Sequence, residues 1–348
     1  MGSGIVAAVD IEGIKAWAMV DTGASISVID EDLAKTLNLG FLGAIAFESD
    51  VAAARGRLVK SPSIRLGQAS LLAPHLMAAP LSSLRQTLGR KVSLIIGQDA
   101  FATRLLDIDL PNRRLSLRDR SRGRIAPGFR QTALWLGPQG RRCIQVSVEG
   151  VSLAAVFDLG SSNPVMLSKA FASRAGFLKD RRLSSSLTNW LGGVALSTAC
   201  RLRDVTVAGF EVSRPPAEAF ETWMCDDAPA NIGLPVFQDF RVIVDLAGER
   251  LWLARTEAIE TPFRVDRSGL GLALERDGLR VMHVAMGGPA EAAGWQVRMR
   301  ITAVDGHLIG SDYVQSGLCE WRYGEPGRVV QLTTEDGREH RLELKEYI

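Results

Sequence analysis

The residues predict a mainly β protein in which two homologous β lobes form a bilobal pseudo-twofold unit, followed by a small β+α domain. Three observations lead there. The chain matches itself at a shift of 136 to 137 residues. Its apolar runs are short or alternating and are punctuated by Gly, Pro, Asn and Asp, with few helical periods. The segment after Thr261-Pro262 follows a different pattern from the two copies.

The repeat sets the order of elements. In the first copy, Val9-Asp10-Ile11-Glu12-Gly13 precedes Ala18-Met19-Val20-Asp21-Thr22-Gly23-Ala24-Ser25. In the second, Val146-Ser147-Val148-Glu149-Gly150 precedes Ala155-Val156-Phe157-Asp158-Leu159-Gly160-Ser161-Ser162, so Asp158 follows Asp21 by 137 positions. Ile96-Gly97 through Phe101 then answers to Ile232-Gly233 through Phe237, and Ile108 through Leu117 answers to Val244 through Leu253. Four blocks in one order give a first lobe over 1–122, a second over 131–256 and a third domain over 262–348. Asp119 to Arg130, with Gly123, Pro127 and Gly128, reads as an exposed linker. The seven arginines from Arg113 to Arg130 are either solvated or a contact for an acidic partner. Short helices are expected over Asp30 to Leu37, Leu81 to Leu88 and Ser168 to Ala175.

Composition removes several function classes. The chain has 348 residues, 41 Lys+Arg against 39 Asp+Glu and a formal net charge of +2. That balance provides no global field to hold nucleic acid or an anionic membrane, so a partner is read by shape and hydrogen bonding. A membrane span needs roughly 18 apolar residues, and the most apolar stretch, Ile5 to Val20, is broken by Asp10, Glu12 and Lys15. The cysteines at 143, 200, 225 and 319 fit neither a disulfide framework nor a zinc pattern, although Cys200 and Cys225 remain a possible pair in an oxidising compartment. The four histidines are scattered, with no His-Glu-x-x-His and no Gly-x-Ser-x-Gly, so no metal and no cofactor is expected. The first 20 residues show no export signal, which reads as cytoplasmic as given, or periplasmic or secreted if a leader has been removed.

Chemistry points to the two aspartates. An apolar strand runs into Asp21-Thr22-Gly23, placing a carboxylate at a strand tip, with Gly23 expected to let the turn aim backbone N–H groups at its oxygens. The repeat supplies a second such tip at Asp158. If the lobes face each other, the two carboxylates meet; about 3 Å apart they cannot both ionise and share one proton. One then acts as base on a water while the other donates to a carbonyl. The structural alternative is that each Asp merely caps a turn beside its strand.

Val20 through Ser25, with Leu94-Ile95-Ile96-Gly97 further on, resembles the retropepsin-like aspartic proteases, here of a single-chain, bacterial type. The resemblance covers residues 5 to 255. It implies a bilobal acid-protease fold with Asp21 and Asp158 as catalytic dyad, supported by Thr22, Gly23, Ala24, Gly160, Ser161, Gly97 and Gly233. It also implies a peptide or protein substrate and a monomer that pairs its lobes internally. Two departures stand out. Leu159 replaces the Thr or Ser whose hydroxyl bonds across the dyad axis, and Ser161, unlike Ala24, is expected to offer Asp158 a hydroxyl donor. Hairpin flaps are expected from Thr188 to Val194, with Trp190, Gly192 and Gly193 over the substrate, and from Phe47 to Leu58 around Gly56. Trp190 reads equally as a core residue.

The third segment resembles a PDZ domain of bacterial type, through Ser268-Gly269-Leu270-Gly271-Leu272, Gly288-Pro289-Ala290 with Ala293-Gly294, and Ile301 through Asp305-Gly306. The resemblance implies that the loop Gly269, Leu270, Gly271 and Leu272 holds a peptide C-terminus on successive backbone N–H groups. Arg298-Met299 departs from the usual Gly-Asp. The alternative is a small β domain that only buttresses the lobes. Together these expectations describe an aspartic endopeptidase with a peptide-docking module, or else an inactive peptide-binding adaptor silenced through Leu159.

Overall fold

A computed structural model describes residues 4–48, 53–82, 84, 88–122, 124–137, 140–190, 193–225, 227–256 and 260–348. Strands dominate it. The helices are brief: α1 (Glu31–Thr36), α2 (Lys169–Arg174) and α3 (Pro289–Ala292). The first two fall where Asp30 to Leu37 and Ser168 to Ala175 were expected, and Ser168 caps α2 by accepting from the Phe171 N–H. In the third expected helix, Leu81 to Leu88, positions 83 and 85–87 lie outside the described residues.

Each lobe begins with the same hairpin. Ile5–Ile11 pairs with Ile14–Val20 through Glu12-Gly13, and Arg142–Val148 pairs with Val151–Asp158 through Glu149-Gly150. Both residues of each turn are left-handed, at φ 49° and 83° in the first and 49° and 84° in the second. That geometry matches the twist of the flanking strands, and Gly adopts it without a Cβ penalty. The second strand of each hairpin then pairs in parallel with a buried strand, Leu94–Ile96 in lobe 1 and Ala230–Gly233 in lobe 2. Parallel pairing inserts the apolar segment beneath the strand tip that carries the aspartate.

A five-stranded sheet joins the lobes, in the order Arg114–Asp119, Arg104–Asp109, Phe240–Asp245, Arg250–Arg255, Arg130–Ala133. At its centre Asp107 lies opposite Ile243, its own counterpart at the 136-residue shift, so the local twofold passes through that pair. The main core, including Ile29, Phe101, Phe157 and Phe237, runs through both lobes. Two features revise the linker expectation. Arg118 and Arg120 are tied inward, to Asp107 and Asp245 at 2.8 Å each, and Arg130–Ala133 forms an edge strand of the joining sheet. A solvated connector is therefore too loose a description of that stretch.

The C-terminal sheet runs Leu270–Glu275, Gly278–Val284, Arg300–Val304, Val329–Thr334, Glu339–Glu343, with His307–Leu308 beside the third, over its own core around Trp295 and Trp321. It docks on the root of the lobe 2 hairpin. Ser184 Oγ donates to the Met286 carbonyl at 2.6 Å, the Met286 N–H donates to Ser185 Oγ, and Ser185 Oγ also bonds His283 Nε2. None of the four cysteines is in a disulfide. Cys200 belongs to the main core whereas Cys225 shares a separate cluster with Cys143, so the pairing of Cys200 with Cys225 is not formed. Burial pushes the Cys143 and Cys200 thiols up to about 11. Among the described residues no helix is long and apolar enough to cross a membrane.

Candidate active site

Asp21 and Asp158 come together at the lobe junction with mirror-image support. Gly23 and Ala24 N–H groups donate to Asp21 Oδ1 at 2.8 and 3.1 Å, and Gly160 and Ser161 N–H groups donate to Asp158 Oδ1 at the same 2.8 and 3.1 Å. Each carboxyl packs against the glycine of the opposite loop, which puts the two acidic groups side by side. Burial first, and the charge of Asp158 second, push Asp21 well above the usual carboxylate range against the pull of its two N–H donors. The pair therefore retains a proton above the usual carboxylate range.

The glycines are required for a reason other than the turn. Neither Gly23 nor Gly160 is left-handed. Instead, a Cβ on Gly23 would fall 2.6 Å from Asp158 Cγ, and one on Gly160 would fall 2.3 Å from Asp21 Cγ. Each glycine makes room for the opposite carboxyl. Gly97 and Gly233 do the same for the loop backbone: their Cβ positions lie 2.9 Å from the Ala24 carbonyl and 2.0 Å from the Asn163 carbonyl.

Thr22 is 1% exposed and makes the cross-axis contact alone. Its Oγ1 donates to the Phe157 carbonyl at 3.2 Å and accepts from the Leu159 N–H at 2.8 Å. Leu159, fully buried, packs in the shared core. One hydroxyl thus ties both loops, and apolar packing stands where a second hydroxyl would.

Ser161 does not act as expected. Its hydroxyl donates to the Asn163 carbonyl and toward Met166 Sδ, and only its N–H reaches Asp158. The donor that distinguishes the two aspartates is Asn231, 1% exposed, whose Nδ2 lies 3.0 Å from Asp158 Oδ2. Its counterpart in lobe 1 is Ile95. The sequence held that signal, since Asn231 interrupts an apolar triplet that is Leu94-Ile95-Ile96 in the first copy. A second overlooked residue is Gln98, buried, whose Nε2 donates to the Thr22 carbonyl at 2.9 Å and steadies the first loop.

Around the dyad, Phe41–Glu48 with Ala53–Lys60 and Ser184–Trp190 with Gly193–Arg201 form the two hairpins. Trp190 pairs with Gly193 through its backbone; the Trp190 side chain and all of Gly192 lie outside the described residues. In the C-terminal domain the expected row of exposed N–H groups is partly consumed. Ser268 and Gly269 N–H groups donate to Asp266 Oδ1 at 2.8 and 3.0 Å, and the Leu270 N–H donates to Ser268 Oγ. Arg322 binds both Asp266 and the Leu270 carbonyl. Gly271 is needed for close strand approach, its Cβ position being 2.8 Å from His283 Cβ, and Leu272 continues the strand at the outer edge of the sheet. Among the described residues no cluster of three His, Cys, Asp or Glu side chains forms a metal site.

Residues 7–100 match the family model described as aspartyl protease, a segment that ends before the second lobe begins. No curated protein matches the sequence. Among solved structures, the aspartic proteinase from Irpex lacteus is similar at 13% identity and a TM-score of 0.48, covering 74% of this chain and 96% of that one. Basic 7S globulin from soybean is similar at 11% identity and a TM-score of 0.40, covering 76% of this chain and 100% of that one.

Proposed function

We propose that this chain is a single-chain, retropepsin-like aspartic endopeptidase in which Asp21 and Asp158 activate water against a peptide bond. The observation that carries the reading is the juxtaposition: two carboxyls 137 positions apart each pack against the other's loop glycine, and each sits on a matching pair of N–H donors. Asp21 holds the proton and donates it to the scissile carbonyl oxygen. Asp158, with Asn231 on its other oxygen, accepts a proton from the attacking water. The water oxygen bonds the carbonyl carbon, and a proton returned to the nitrogen lets the C–N bond break. The lobes, 1–122 and 131–256, act as one monomeric unit with the substrate extended between them, and the hairpins at Phe41–Lys60 and Ser184–Arg201 close over it.

The domain over 262–348 is a PDZ module in this reading. A peptide adds along the outer edge of the sheet beside Gly271 and Leu272, since Asp266 and Ser268 already occupy the N–H groups of Gly269 and Leu270.

Incubating the full chain with a mixed peptide library, with and without a pepstatin-like inhibitor, tests the proposal. Inhibitor-sensitive cleavage that disappears in Asp21→Asn is the expected result. Peptide binding with no cleavage from pH 3 to 8 would instead make the chain an adaptor, the reading that the missing hydroxyl at Leu159 favours.

A further inference from the structure

The two lobes offer different chemistry on either side of the dyad. Strand register establishes which residues correspond. Ser186 pairs with Ser197 where Ile45 pairs with Gly56, and Glu218 lies opposite Met166 where Met77 lies opposite Val28. In lobe 1 these places belong to an apolar cluster of Met77, Val28 and Ile95, with Ile26 and Ile45 against it. In lobe 2 they surround a carboxylate.

Glu218 Oε1 accepts from Ser186 Oγ at 3.0 Å. Oε2 accepts from Thr188 Oγ1, from Ser197 Oγ at 3.0 Å and from Asn163 Nδ2 at 3.3 Å. Its neighbours Ala217 and Ala219 face the main core, so Glu218 faces the other side of the sheet. Asn163 stands five positions past Asp158 and Ser186 and Thr188 lie on the hairpin strand, which places the carboxylate between catalytic loop and flap. It is half-buried. The donors crowd onto Oε2, which accepts three, whereas Oε1 accepts one, so Oε1 is the oxygen with acceptor capacity to spare. Asp107, Glu149 and Asp245 are each neutralised by arginine. Among the described residues Glu218 has hydroxyl and amide donors and no Lys or Arg within ion-pair distance.

We infer that Glu218 forms a subsite for a basic side chain, so that the cleft takes a lysine or arginine of the substrate on its lobe 2 side and an apolar side chain at the matching place in lobe 1. The inference rests on the peptide-cleft reading above. Four donors hold the carboxylate in place before any ligand arrives, so little ordering remains when a cation docks. An apolar side chain there would cover a charge with no countercharge, which is unfavourable. The matching place in lobe 1, with Met77 buried in an apolar cluster and half-buried Ile45 against it, offers a cation no acceptor.

The test uses peptides that are identical except for lysine or norleucine at one position, scanned across the scissile bond. Wild-type chain is expected to favour lysine at one position by about tenfold or more in kcat/KM. Glu218→Met, which installs the lobe 1 residue, is expected to reverse that preference, and Glu218→Gln to weaken it; the second variant serves if the first does not fold. Binding of the same peptides to Asp21→Asn, read by fluorescence anisotropy, gives the lysine-to-norleucine ratio without turnover. Cleavage with no basic preference, or a preference that survives both substitutions, overturns the subsite alone. A lysine preference in binding with no cleavage by wild type overturns the endopeptidase and leaves the subsite. No peptide bound or cut overturns both.

Discussion

At Asp21 the surroundings act on one proton, and the consequence is a pH dependence with a definite sign. Burial, then the charge of Asp158, raise Asp21 in the folded chain, whereas the unfolded chain releases that proton near the ordinary value of about 3.9. The folded state then binds more protons than the unfolded one between those limits, so this contribution to stability is complete below the unfolded value and disappears as pH rises through the folded one. If the chain is the endopeptidase proposed above, its cleavage is expected to fall over the same upper range, because the proton donor is lost. Thermal melts of wild type and Asp21→Asn from pH 4 to 9 check this: the wild-type midpoint declines relative to the variant, and parallel profiles would refute the assignment. The hydrogen-bond donors around the two aspartates differ at Asn231, not at the Ser161 hydroxyl. Both are polar at positions where the first copy is apolar or small, so the sequence marked both. Only the loop geometry shows that the Ser161 hydroxyl turns back on Asn163 while the Asn231 amide reaches forward.

Among the elements, those built from local rules were the most readable. The helices after each aspartate loop fall where they were expected, whereas in the first hairpin Gly56 lies within a strand opposite Ile45 and not at the turn. The tightest departure is at Arg298, where the C-terminal domain has Arg in place of the expected Gly. The turn forms nonetheless: Arg298 is left-handed at φ 80°, with its N–H donating to the Val281 carbonyl. A Cβ in that region costs roughly 1 kcal/mol, part of which returns as unfolded-state entropy when Gly replaces it. Arg298→Gly is expected to stabilise the domain by about 0.5 kcal/mol, measured by urea denaturation. A loss of stability would show that the left-handed turn is not strained. The same domain illustrates a misleading motif. Gly269 and Leu270 carry the residue types of a carboxylate loop, but Asp266, two to three positions upstream, supplies its own carboxylate to Ser268 and Gly269.

For the whole molecule, the lobes are held in register by a charge cluster on the twofold axis. Asp107, 3% exposed, accepts a bidentate pair from Arg241 of lobe 2 at 2.8 and 2.7 Å and a third bond from Arg118. Burial raises its carboxyl, but the arginines outweigh that and hold it below the usual range. Because both guanidiniums reach solvent, breaking the cluster costs less than for a fully buried pair. Asp107→Ala is expected to lose roughly 2 kcal/mol in urea unfolding, with cleavage reduced as the lobes loosen. A change within about 0.5 kcal/mol would mean that the sheet hydrogen bonds suffice. The repeat, the strand content and the two acidic tips could all be read from the residues, because periodicity and turn chemistry act over a few positions and copying made them visible twice. Which atoms meet across the axis could not. The clash that makes Gly23 and Gly160 indispensable, the single hydroxyl of Thr22 serving both loops, Asn231 on one aspartate and the donors from loop and hairpin that gather on Glu218 all join segments far apart in the chain. Such contacts arise from close packing of whole lobes, where a neighbour is set by three-dimensional distance and not by position along the chain.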